Sequence, residues 1–377
     1  MGNNQKLIVA GHICLDVTPV FPKESESPIA QLLSPGKLIH MDPANVSTGG
    51  AVANTGLALK VLGADVELMG KVGKDDFGTL LLERLRRWDL DRGMIVSDDA
   101  TTSYSVVLAP IGVDRIFLHH TGANDTYRSD DLDYDRVADA AIFHFGYPPL
   151  MKSMYENDGE ELVKIFRRVR ELGVATSLDM AAVDPLSSAG KADWKRIQER
   201  VLPYVDFFVP SVEEIGFMLD RDLYEDWQKR AAGRDVTSIL SVEQDVAPLA
   251  EKLVKMGASV VLLKCGAPGM YCSTADAAKL SRLAGRLGRD FSGWEDQNVF
   301  ERSYKPEIVR SGTGAGDTSI AAFLLSVLRG YGFSRCLQLC TATGARCVTS
   351  YDALSALLPL PELEKRIDAG WEKQYLI

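Results

Sequence analysis

The sequence lacks the features that mark several common classes of protein. Its 377 residues contain no apolar run long enough to cross a bilayer, since the stretch Ile320 to Leu328 has only about half the required length. Lys and Arg number 42 against 52 Asp and Glu, a net charge of −10, and no basic cluster offsets it. We therefore expect neither a nucleic-acid nor a membrane partner. No signal-peptide core precedes the first apolar segment, so we expect a cytoplasmic protein.

Several catalytic signatures are also absent. The six cysteines include no C-x-x-C pair, so we expect buried free thiols rather than a zinc site or a disulfide framework. The five histidines show no H-E-x-x-H spacing, which argues against a zinc hydrolase. No G-x-x-x-x-G-K-[ST], no G-x-G-x-x-G after the first strand and no G-x-S-x-G occurs. P-loop enzymes, dinucleotide-binding enzymes and α/β hydrolases are therefore not supported.

Short apolar runs alternate with longer amphipathic segments along most of the chain. We predict strands at Lys6–Cys14, Val66–Val72, Ala141–Phe145, Val174–Leu178, Val205–Val209 and Ser259–Lys264. We predict helices at Ala51–Leu62, Asp76–Trp88, Asp158–Leu172, Asp193–Val201 and Val242–Met256, with three more after Thr318. This alternation predicts an α/β fold over residues 1–377, with a mainly parallel central sheet and helices on both faces.

Two early regions do not follow this alternation of strands and helices. Residues 16–45 are rich in Pro and Ser, and residues 101–125 contain two alternating strands, Ser103–Ala109 and Arg115–His120. We interpret both regions as a small antiparallel β-sheet that covers the larger domain as a lid. The segment Gly285–Lys305 is polar with little periodicity, and we expect it to be an insertion loop.

A glycine-rich turn opens the helix that begins near Thr318. The run Ser311-Gly312-Thr313-Gly314-Ala315-Gly316-Asp317 places small residues and free N–H groups at a helix N-terminus, which is a suitable site for a phosphate group. Asp317 is either a structural charge in the first helical turn or a group that accepts a proton or holds a metal.

A second small-residue segment, Ser47 to Asn54, also leads into a helix. A polar ligand would lie against Gly49 and Gly50, with the Asn54 amide as donor and acceptor, and Asp16 after the first strand could accept two hydroxyl hydrogen bonds. The alternative for each site is a plain turn with a helix cap.

Together these segments resemble the ribokinase-like (PfkB) carbohydrate kinases over nearly the whole chain. Four motifs in the family's order carry the resemblance: Gly49-Gly50-x-x-x-Asn54 with Gly70-x-x-Gly73-x-Asp75-x-Phe77-Gly78, Pro210-Ser211-Val212-Glu213-Glu214, Lys264-x-Gly266-x-x-Gly269, and Gly314-Ala315-Gly316-Asp317. The resemblance implies an ATP-dependent, Mg²⁺-dependent transfer of the γ-phosphate to a sugar hydroxyl, most simply a primary one, in a homodimer formed through the lids.

The resemblance also implies roles for single residues. Asp317 would be the general base, and the backbone of Gly314, Ala315 and Gly316 would form the anion hole. Substrate contacts would come from Asp16, Gly49, Gly50 and Asn54. The nucleotide would lie along Lys264, Gly266, Gly269, Gly344 and Ala345, and Glu214 would act on Mg²⁺, through water.

Two departures from the family's pattern bear on function. The residues Ser311-Gly312-Thr313 lack the acidic residue that would hold a monovalent cation, so activation by such a cation stays open, and Ser211 replaces an Asn. A nucleoside kinase with Phe117, Tyr104 and Tyr147 as an aromatic platform is the alternative. A sugar-binding sensor without turnover is a third hypothesis, although Asp317 and the three anion-hole residues are all present.

Overall fold

The computed structural model describes residues 5–22, 35–108 and 116–375. The strands in these ranges are β1 Lys6–Gly11, β2 Cys14–Val20, β3 Asp42–Gly49, β4 Asp65–Gly73, β5 Met94–Ser97, β6 Tyr104–Leu108, β7 Ile116–His120, β8 Ile142–Gly146, β9 Ala175–Leu178, β10 Phe207–Phe208, β11 Val260–Lys264, β12 Gly269–Thr274 and β13 Asn298–Arg302.

The described residues also form thirteen α-helices. They are α1 Gly50–Val61, α2 Asp76–Arg86, α3 Tyr134–Ala138, α4 Lys152–Tyr155, α5 Glu160–Glu171, α6 Trp194–Val201, α7 Val212–Leu219, α8 Arg221–Ala231, α9 Ala247–Met256, α10 Ala277–Leu287, α11 Ala315–Leu328, α12 Phe333–Cys347 and α13 Leu360–Asp368. None of them is both long and apolar enough to span a membrane.

The large sheet has nine strands in the order β13-β12-β11-β10-β9-β8-β1-β4-β5. Every neighbouring pair from β11 to β5 is parallel, and β12 and β13 add two antiparallel pairs at one edge. Successive residues of β1 belong to two different hydrophobic clusters, Leu7 and Val9 to one and Ile8 and Ala10 to the other. Because side chains alternate along a strand, helices must cover both faces of the sheet, which confirms the predicted α/β fold.

A separate sheet of four strands has the order β3-β2-β6-β7. The prediction of a purely antiparallel sheet is wrong for one pair, since β2 runs parallel to β6 from Leu15 to Val17. The other pairs, β2 with β3 and β6 with β7, are antiparallel as expected. Residues 23–34 and 109–115 of the predicted lid, including Arg115, lie outside the described residues. We call this sheet the small sheet.

Two further predictions need correction. The segment Lys6–Cys14 is not one strand, because the backbone leaves the large sheet at Gly11 (φ +117°) and enters the small sheet at Cys14. The segment Gly285–Lys305 is not simply a loop, since it contains the end of α10 and the edge strand β13. That strand is only partly buried, so it shows no apolar run. The three last helices and the six buried, free cysteines are as predicted.

Candidate active site

Parallel strands of the large sheet bring several polar residues to one edge. The strands β1, β8 and β9 are neighbours, and His12, Tyr147 and Asp179 follow each of them within a residue. Lys264 is the last residue of β11, two strands from β9. Because the carboxyl ends of parallel strands meet at one edge, this edge is the usual place for a ligand in an open α/β sheet.

Asp317 lies in the first turn of α11 and is 4% exposed. Its Oδ1 accepts a hydrogen bond from the Tyr147 hydroxyl at 2.7 Å and a longer one from Thr55 Oγ1 at 3.4 Å. Its Oδ2 accepts from Asn54 Nδ2 at 3.1 Å. Hydrogen-bond donors from α1 and from the end of β8 therefore fix the orientation of the carboxylate. A charge that only stabilised the helix N-terminus in solvent would not require such a fixed orientation.

Burial raises the pKa of Asp317 above its usual value. The positive charge of Lys264 and the hydrogen bonds from Tyr147 and Asn54 oppose this shift by stabilising the ionised form. A carboxylate with a raised pKa accepts a proton more readily than one in water. The burial and orientation of Asp317 and the direction of its pKa shift are compatible with a role as general base.

The turn before α11 requires glycine at its centre. Gly314 has φ +72°, and a Cβ there would lie 2.3 Å from the Cβ of Ala353. The N-cap residue of α11 is Gly314, and no described side chain caps this helix, so its N-terminal N–H groups and the positive end of its dipole favour an anion. The Ala315 N–H donates to Gly312 O at 3.3 Å.

Lys264 and Asp179 form a buried ion pair beside this turn. The distance from Lys264 Nζ to Asp179 Oδ1 is 2.7 Å, and the Asp179 side chain is fully buried. A Cβ at Gly316 would lie 3.7 Å from Lys264 Nζ, so the ammonium group reaches the glycine turn. The other Asp179 oxygen, Oδ2, is buried, and none of the residues that the structure describes forms a hydrogen bond with it.

The charges in this region are unbalanced towards the negative. Burial raises the pKa of Asp179 to about 8, with the Lys264 charge acting against the shift. Burial acts to lower the pKa of Lys264, but the charges of Asp179 and Glu214 outweigh it and raise that pKa. Three carboxylates, those of Asp179, Glu214 and Asp317, therefore act on one ammonium group, which stays protonated.

Glu214 lies at the start of α7, where it has a structural task. Its Oε2 accepts from the Ser211 backbone N–H at 2.7 Å, and Ser211 Oγ accepts from the Glu214 N–H at 3.2 Å. This reciprocal capping box fixes the carboxylate close to β11, because Ser211 pairs with Lys264 in an isolated bridge. The replacement of Asn by Ser at this position therefore preserves a cap.

The predicted substrate residues meet where the small sheet joins α1. Ser47–Gly49 belong to β3 and not to a loop, and α1 begins at Gly50. A Cβ at Gly49 would lie 2.1 Å from Asp16 Oδ2, and one at Gly50 (φ +82°) would lie 2.6 Å from His12 Nδ1. Glycine at both positions thus leaves room for these two side chains. Asn54, one turn along α1, connects this region to Asp317.

The remaining predicted nucleotide residues are explained by backbone geometry and packing. Gly266 (φ +62°) and Gly269 (φ +147°) form the turn between β11 and β12, and a Cβ on either would collide with Thr237 or with the backbone of Glu301. A Cβ on Gly344 would lie 2.5 Å from Ser319 Oγ, so this glycine permits close packing of α12 against α11. Ala345 belongs to the hydrophobic core. Their nucleotide roles stay predictions from the resemblance.

Sequence reasoning missed three members of the site. Asp179 and His12 were not considered, and Tyr147 was considered only as an aromatic platform. Tyr147 and Asp179 come after predicted buried strands, and His12 lies near the end of one, which is the signal that could have found them. Tyr147 carries a second signal, because it precedes two prolines and adopts a left-handed conformation (φ +66°, ψ +43°) that is uncommon for a large side chain.

Comparison with known proteins agrees with this geometry. The pfkB family carbohydrate kinase profile matches residues 4–359. A sugar kinase of Archaeoglobus fulgidus, itself uncharacterized, is 22% identical over 301 residues, which cover 80% of this chain and 98% of that protein. The chain therefore belongs to the pfkB family of carbohydrate kinases, phosphotransferases that act on a sugar hydroxyl.

Solved structures with the same fold extend the comparison. An Arabidopsis thaliana ribokinase complexed with ribose and ATP aligns with a TM-score of 0.69 and 19% identity, over 96% of this chain and 98% of that one. A putative ribokinase II from E. coli in complex with ATP and Mg²⁺ aligns with a TM-score of 0.68 and 20% identity, over 97% and 99%. These likenesses establish a ribokinase-like fold.

Proposed function

We propose that this enzyme transfers the γ-phosphate of ATP to a hydroxyl, most simply a primary one, of a small carbohydrate, with Asp317 as the general base. The observation that carries the proposal is the buried Asp317 carboxylate, oriented by Tyr147 and Asn54 at the N-terminus of α11. A base in this position accepts the hydroxyl proton as the oxygen attacks phosphorus. The adjacent glycine turn would face the phosphoryl group that the oxygen attacks.

Stabilisation of the phosphoryl group would come from the turn Gly314-Ala315-Gly316 and from Lys264. The turn supports this role through its uncapped helix N-terminus, which favours negative charge. Lys264 supports it through an ammonium group held within reach of Gly316 by Asp179. Fixed donors of this kind stabilise charge as it develops, because they need no reorganisation during the reaction.

The sugar would lie between the small sheet and α1. Asp16, Gly49 and Gly50 line this region, and Asn54 connects it to the base. A sugar hydroxyl bound by Asp16 would be held at a fixed distance from Asp317, which favours attack in line with the phosphoryl group. Lid closure by the small sheet over this region is part of the proposal.

The carboxylates near Lys264 are suitable for Mg²⁺, which would bind together with ATP. Mg²⁺ keeps most of its water and uses one or two carboxylates, and the excess of carboxylates around Lys264 supplies such groups. Glu214 would hold the ion through water, since one of its oxygens already accepts the Ser211 N–H. Bound Mg²⁺ would neutralise phosphate charge during transfer. The turn around Ser311 supports no assignment of a monovalent cation.

A nucleoside substrate is the second candidate. Phe117 and His119 lie on the same face of β7, because residues two apart in a strand share a face. Tyr147 follows the end of β8. Tyr104 pairs with His120 on the opposite face and packs edge-on against Phe77. The aromatic platform for a base would therefore consist of Phe117 and Tyr147 alone, which weakens this candidate.

A homodimer through the small sheets is also proposed. Strand β7 lies at the edge of that sheet, and Ile116, Phe117 and Leu118 are 39%, 52% and 54% exposed. Apolar side chains on an exposed edge strand favour association with a second copy. Sedimentation velocity at micromolar concentration should give a dimer, and a monomer there contradicts this part of the proposal.

The decisive experiment is an ATP-consumption assay with Mg²⁺ over pentoses, hexoses, keto-deoxy sugar acids, inositols and nucleosides. We expect the wild type to phosphorylate one sugar class and the Asp317→Asn variant to be slower by at least about 100-fold. Asp245→Asn is the matched control, because that carboxylate accepts hydrogen bonds from Trp227 and Arg230 away from the site. Equal turnover of wild type and Asp317→Asn contradicts the base assignment.

A further inference from the structure

Three strands of the small sheet carry a row of polar side chains on one face. Asp16 of β2 pairs with Ser105 of β6, and Ser105 pairs with His119 of β7. Paired residues point to the same side of a sheet, so these three side chains face together. Asp16 lies against Gly49, which places this face over the proposed sugar site.

His12 meets this row from the large sheet. Its Nε2 lies 3.3 Å from His119 Nε2, and the two ring centroids are 5.1 Å apart. The His12 ring also lies 6.0 Å from the ring of Tyr147, whose hydroxyl donates to Asp317. The two imidazoles therefore bridge the small sheet and the large sheet close to the proposed base.

The hydrogen bonds around the rings restrict their protonation. Ser105 Oγ lies 3.0 Å from His119 Nδ1, so this contact uses one ring nitrogen of His119 and leaves Nε2 for His12. His12 Nδ1 is buried and has no hydrogen-bond partner within the described part of the chain, while its Nε2 lies between His119 and Ser103 Oγ. A buried N–H without an acceptor costs more than a lone pair without a donor. The favoured arrangement therefore has the proton on His12 Nε2, directed at His119 Nε2.

Two neutral imidazoles suit an uncharged hydroxyl. Burial lowers the pKa of His12 and lowers the pKa of His119 to about 4, so neither ring carries a charge near neutral pH. A hydroxyl both accepts and donates, so it can accept from His12 Nε2–H and donate to His119 Nε2 in place of their direct bond. Because each bond spans about 2.8 Å, this exchange needs the two nitrogens about 5 Å apart, a small outward shift of β7.

We infer that His119 is a specificity-determining residue, whose Nε2 together with His12 Nε2 binds one hydroxyl of a neutral sugar substrate. This inference rests on the proposed function, because it assumes that a carbohydrate lies beside Asp317. It deepens that proposal by selecting uncharged polyhydroxyl substrates over sugar acids, since neutral rings offer no countercharge to a carboxylate.

The test measures KM and kcat for the best substrate among D-fructose, D-ribose, D-glucose and myo-inositol, together with its monodeoxy analogues. We expect His119→Ala to raise the sugar KM about tenfold or more, with the ATP KM and kcat changed less than threefold. His119→Gln should restore part of the affinity because its amide reaches the Nε2 position. His119→Asn should not, because its amide reaches only the Nδ1 position.

The deoxy analogues supply the second measurement. In the wild type, removal of the hydroxyl that the two rings bind should raise KM about tenfold, and in His119→Ala the same removal should have no further effect. His120→Ala is the control, because His120 lies on the opposite face of β7 and contacts Thr101. If His119→Ala does not fold, the comparison of the Gln and Asn variants replaces it.

The outcomes separate the inference from the proposed function. The inference is wrong if the wild type is active but folded His119 variants have the same sugar KM as the wild type. It is also wrong if the effects of the deoxy analogues and of the His119 substitutions on KM are additive. Either result leaves the kinase proposal intact. A preference for a sugar acid also overturns it. A wild type that phosphorylates no member of the set or of the wider panel contradicts the proposed function itself.

Discussion

The Lys264 ammonium lies 2.7 Å from the Asp179 carboxylate, in a buried ion pair that joins the ends of β11 and β9 next to the glycine turn of α11. The backbone of Asp179 also accepts the Tyr147 N–H at 3.3 Å. One residue thus positions both the cation beside the turn and the tyrosine that orients Asp317. The proposed phosphate-binding cation, Lys264, and the orientation of the proposed base, Asp317, therefore both depend on the residue that follows β9.

Replacement of Lys264 by Met should make stability strongly dependent on pH. The folded pKa of Asp179 is already raised to about 8 by burial, and loss of the Lys264 charge would raise it further. A carboxyl whose folded pKa exceeds its unfolded pKa destabilises the fold as pH rises, because the folded state then holds a buried charge. Because the wild-type pKa is already about 8, both proteins lose stability in parallel below that pH, so we expect the deficit of the variant to be larger at pH 9.5 than at pH 7, growing by up to about 1.4 kcal/mol per pH unit above pH 8.

Urea denaturation of wild type and Lys264→Met at both pH values measures this effect. Lys255→Met is the matched control, because the Lys255 side chain is exposed and its ion pair with Glu251 is 3.8 Å long. That variant should stay within about 0.5 kcal/mol of wild type at either pH. A Lys264→Met deficit that is the same at pH 7 and 9.5 contradicts the charge argument.

Replacement of Tyr147 by Phe should shift the pH dependence of activity. The Tyr147 hydroxyl donates to Asp317 Oδ1 at 2.7 Å, and this bond lowers the pKa of Asp317 against the opposing effect of burial. Its loss should raise that pKa further, since the hydrogen bond stabilises the ionised carboxylate. The acidic limb of the kcat/KM profile should therefore move to higher pH.

Steady-state rates between pH 5 and 9 show this shift directly. Tyr155→Phe provides the control, because the Tyr155 hydroxyl contacts Ser188 near the surface. The control profile should overlay that of wild type. An acidic limb that keeps its position in Tyr147→Phe rules out control of the Asp317 pKa by this hydroxyl.

The sequence predicted the parts of the fold that depend on local pattern. Buried parallel strands such as β8 and β9 were predictable because they are short apolar runs in the sequence. The turn at Gly314 was predictable from its glycines and from the helical pattern that follows. The break after Gly11 was not predictable in this way. Both segments around it are apolar, and the reason for the break is a long-range approach to the Gly146 backbone.

The pairing of site residues was also beyond local pattern. Asp179 and Lys264 are 85 residues apart, and Asn54 and Asp317 are 263 apart. Motifs identified Asn54, Lys264 and Asp317 because each follows a recognisable glycine pattern or precedes one. Tyr147 and Asp179 have no such pattern, and their importance follows only from the order of strands in the sheet.

Replacement of Gly49 by Ala should weaken sugar binding. A Cβ at Gly49 would lie 2.1 Å from Asp16 Oδ2, so the carboxylate must move away from the position proposed to hold sugar hydroxyls. We expect the sugar KM to rise about tenfold or more while the ATP KM stays close to wild type. Gly285→Ala is the control, because nothing lies within 4 Å of a Cβ there. It should keep wild-type kinetics and gain about 0.5 to 1 kcal/mol of stability in α10.

Kinetics of both variants with the sugar found in the substrate panel test this prediction. A selective rise in the sugar KM supports the contact between Gly49 and Asp16. Wild-type kinetics in Gly49→Ala would mean that Asp16 holds no substrate hydroxyl in the position that the structure gives it.

Protonation of His144 should contribute to unfolding in acid. The ring is fully buried in the middle of β8, with Nδ1 2.9 Å from Ser177 Oγ, and Nε2 has no hydrogen-bond partner among the described residues. Burial, with a smaller effect from the Lys264 charge, lowers the pKa of His144 to about 3. Because the folded pKa lies below the unfolded value of about 6.5, its contribution to stability is complete above pH 6.5 and is lost as pH falls towards 3.

Comparison of wild type with His144→Gln, which cannot take up a proton, isolates this contribution. Between pH 7 and pH 4 the wild type should lose up to about 3 kcal/mol more unfolding free energy than the variant. His40→Gln serves as the control, because His40 is exposed and its replacement should leave the acid sensitivity of the wild type unchanged. Parallel loss of stability in wild type and His144→Gln over this range would show that acid unfolding starts elsewhere, with the buried His12 as the next group to test.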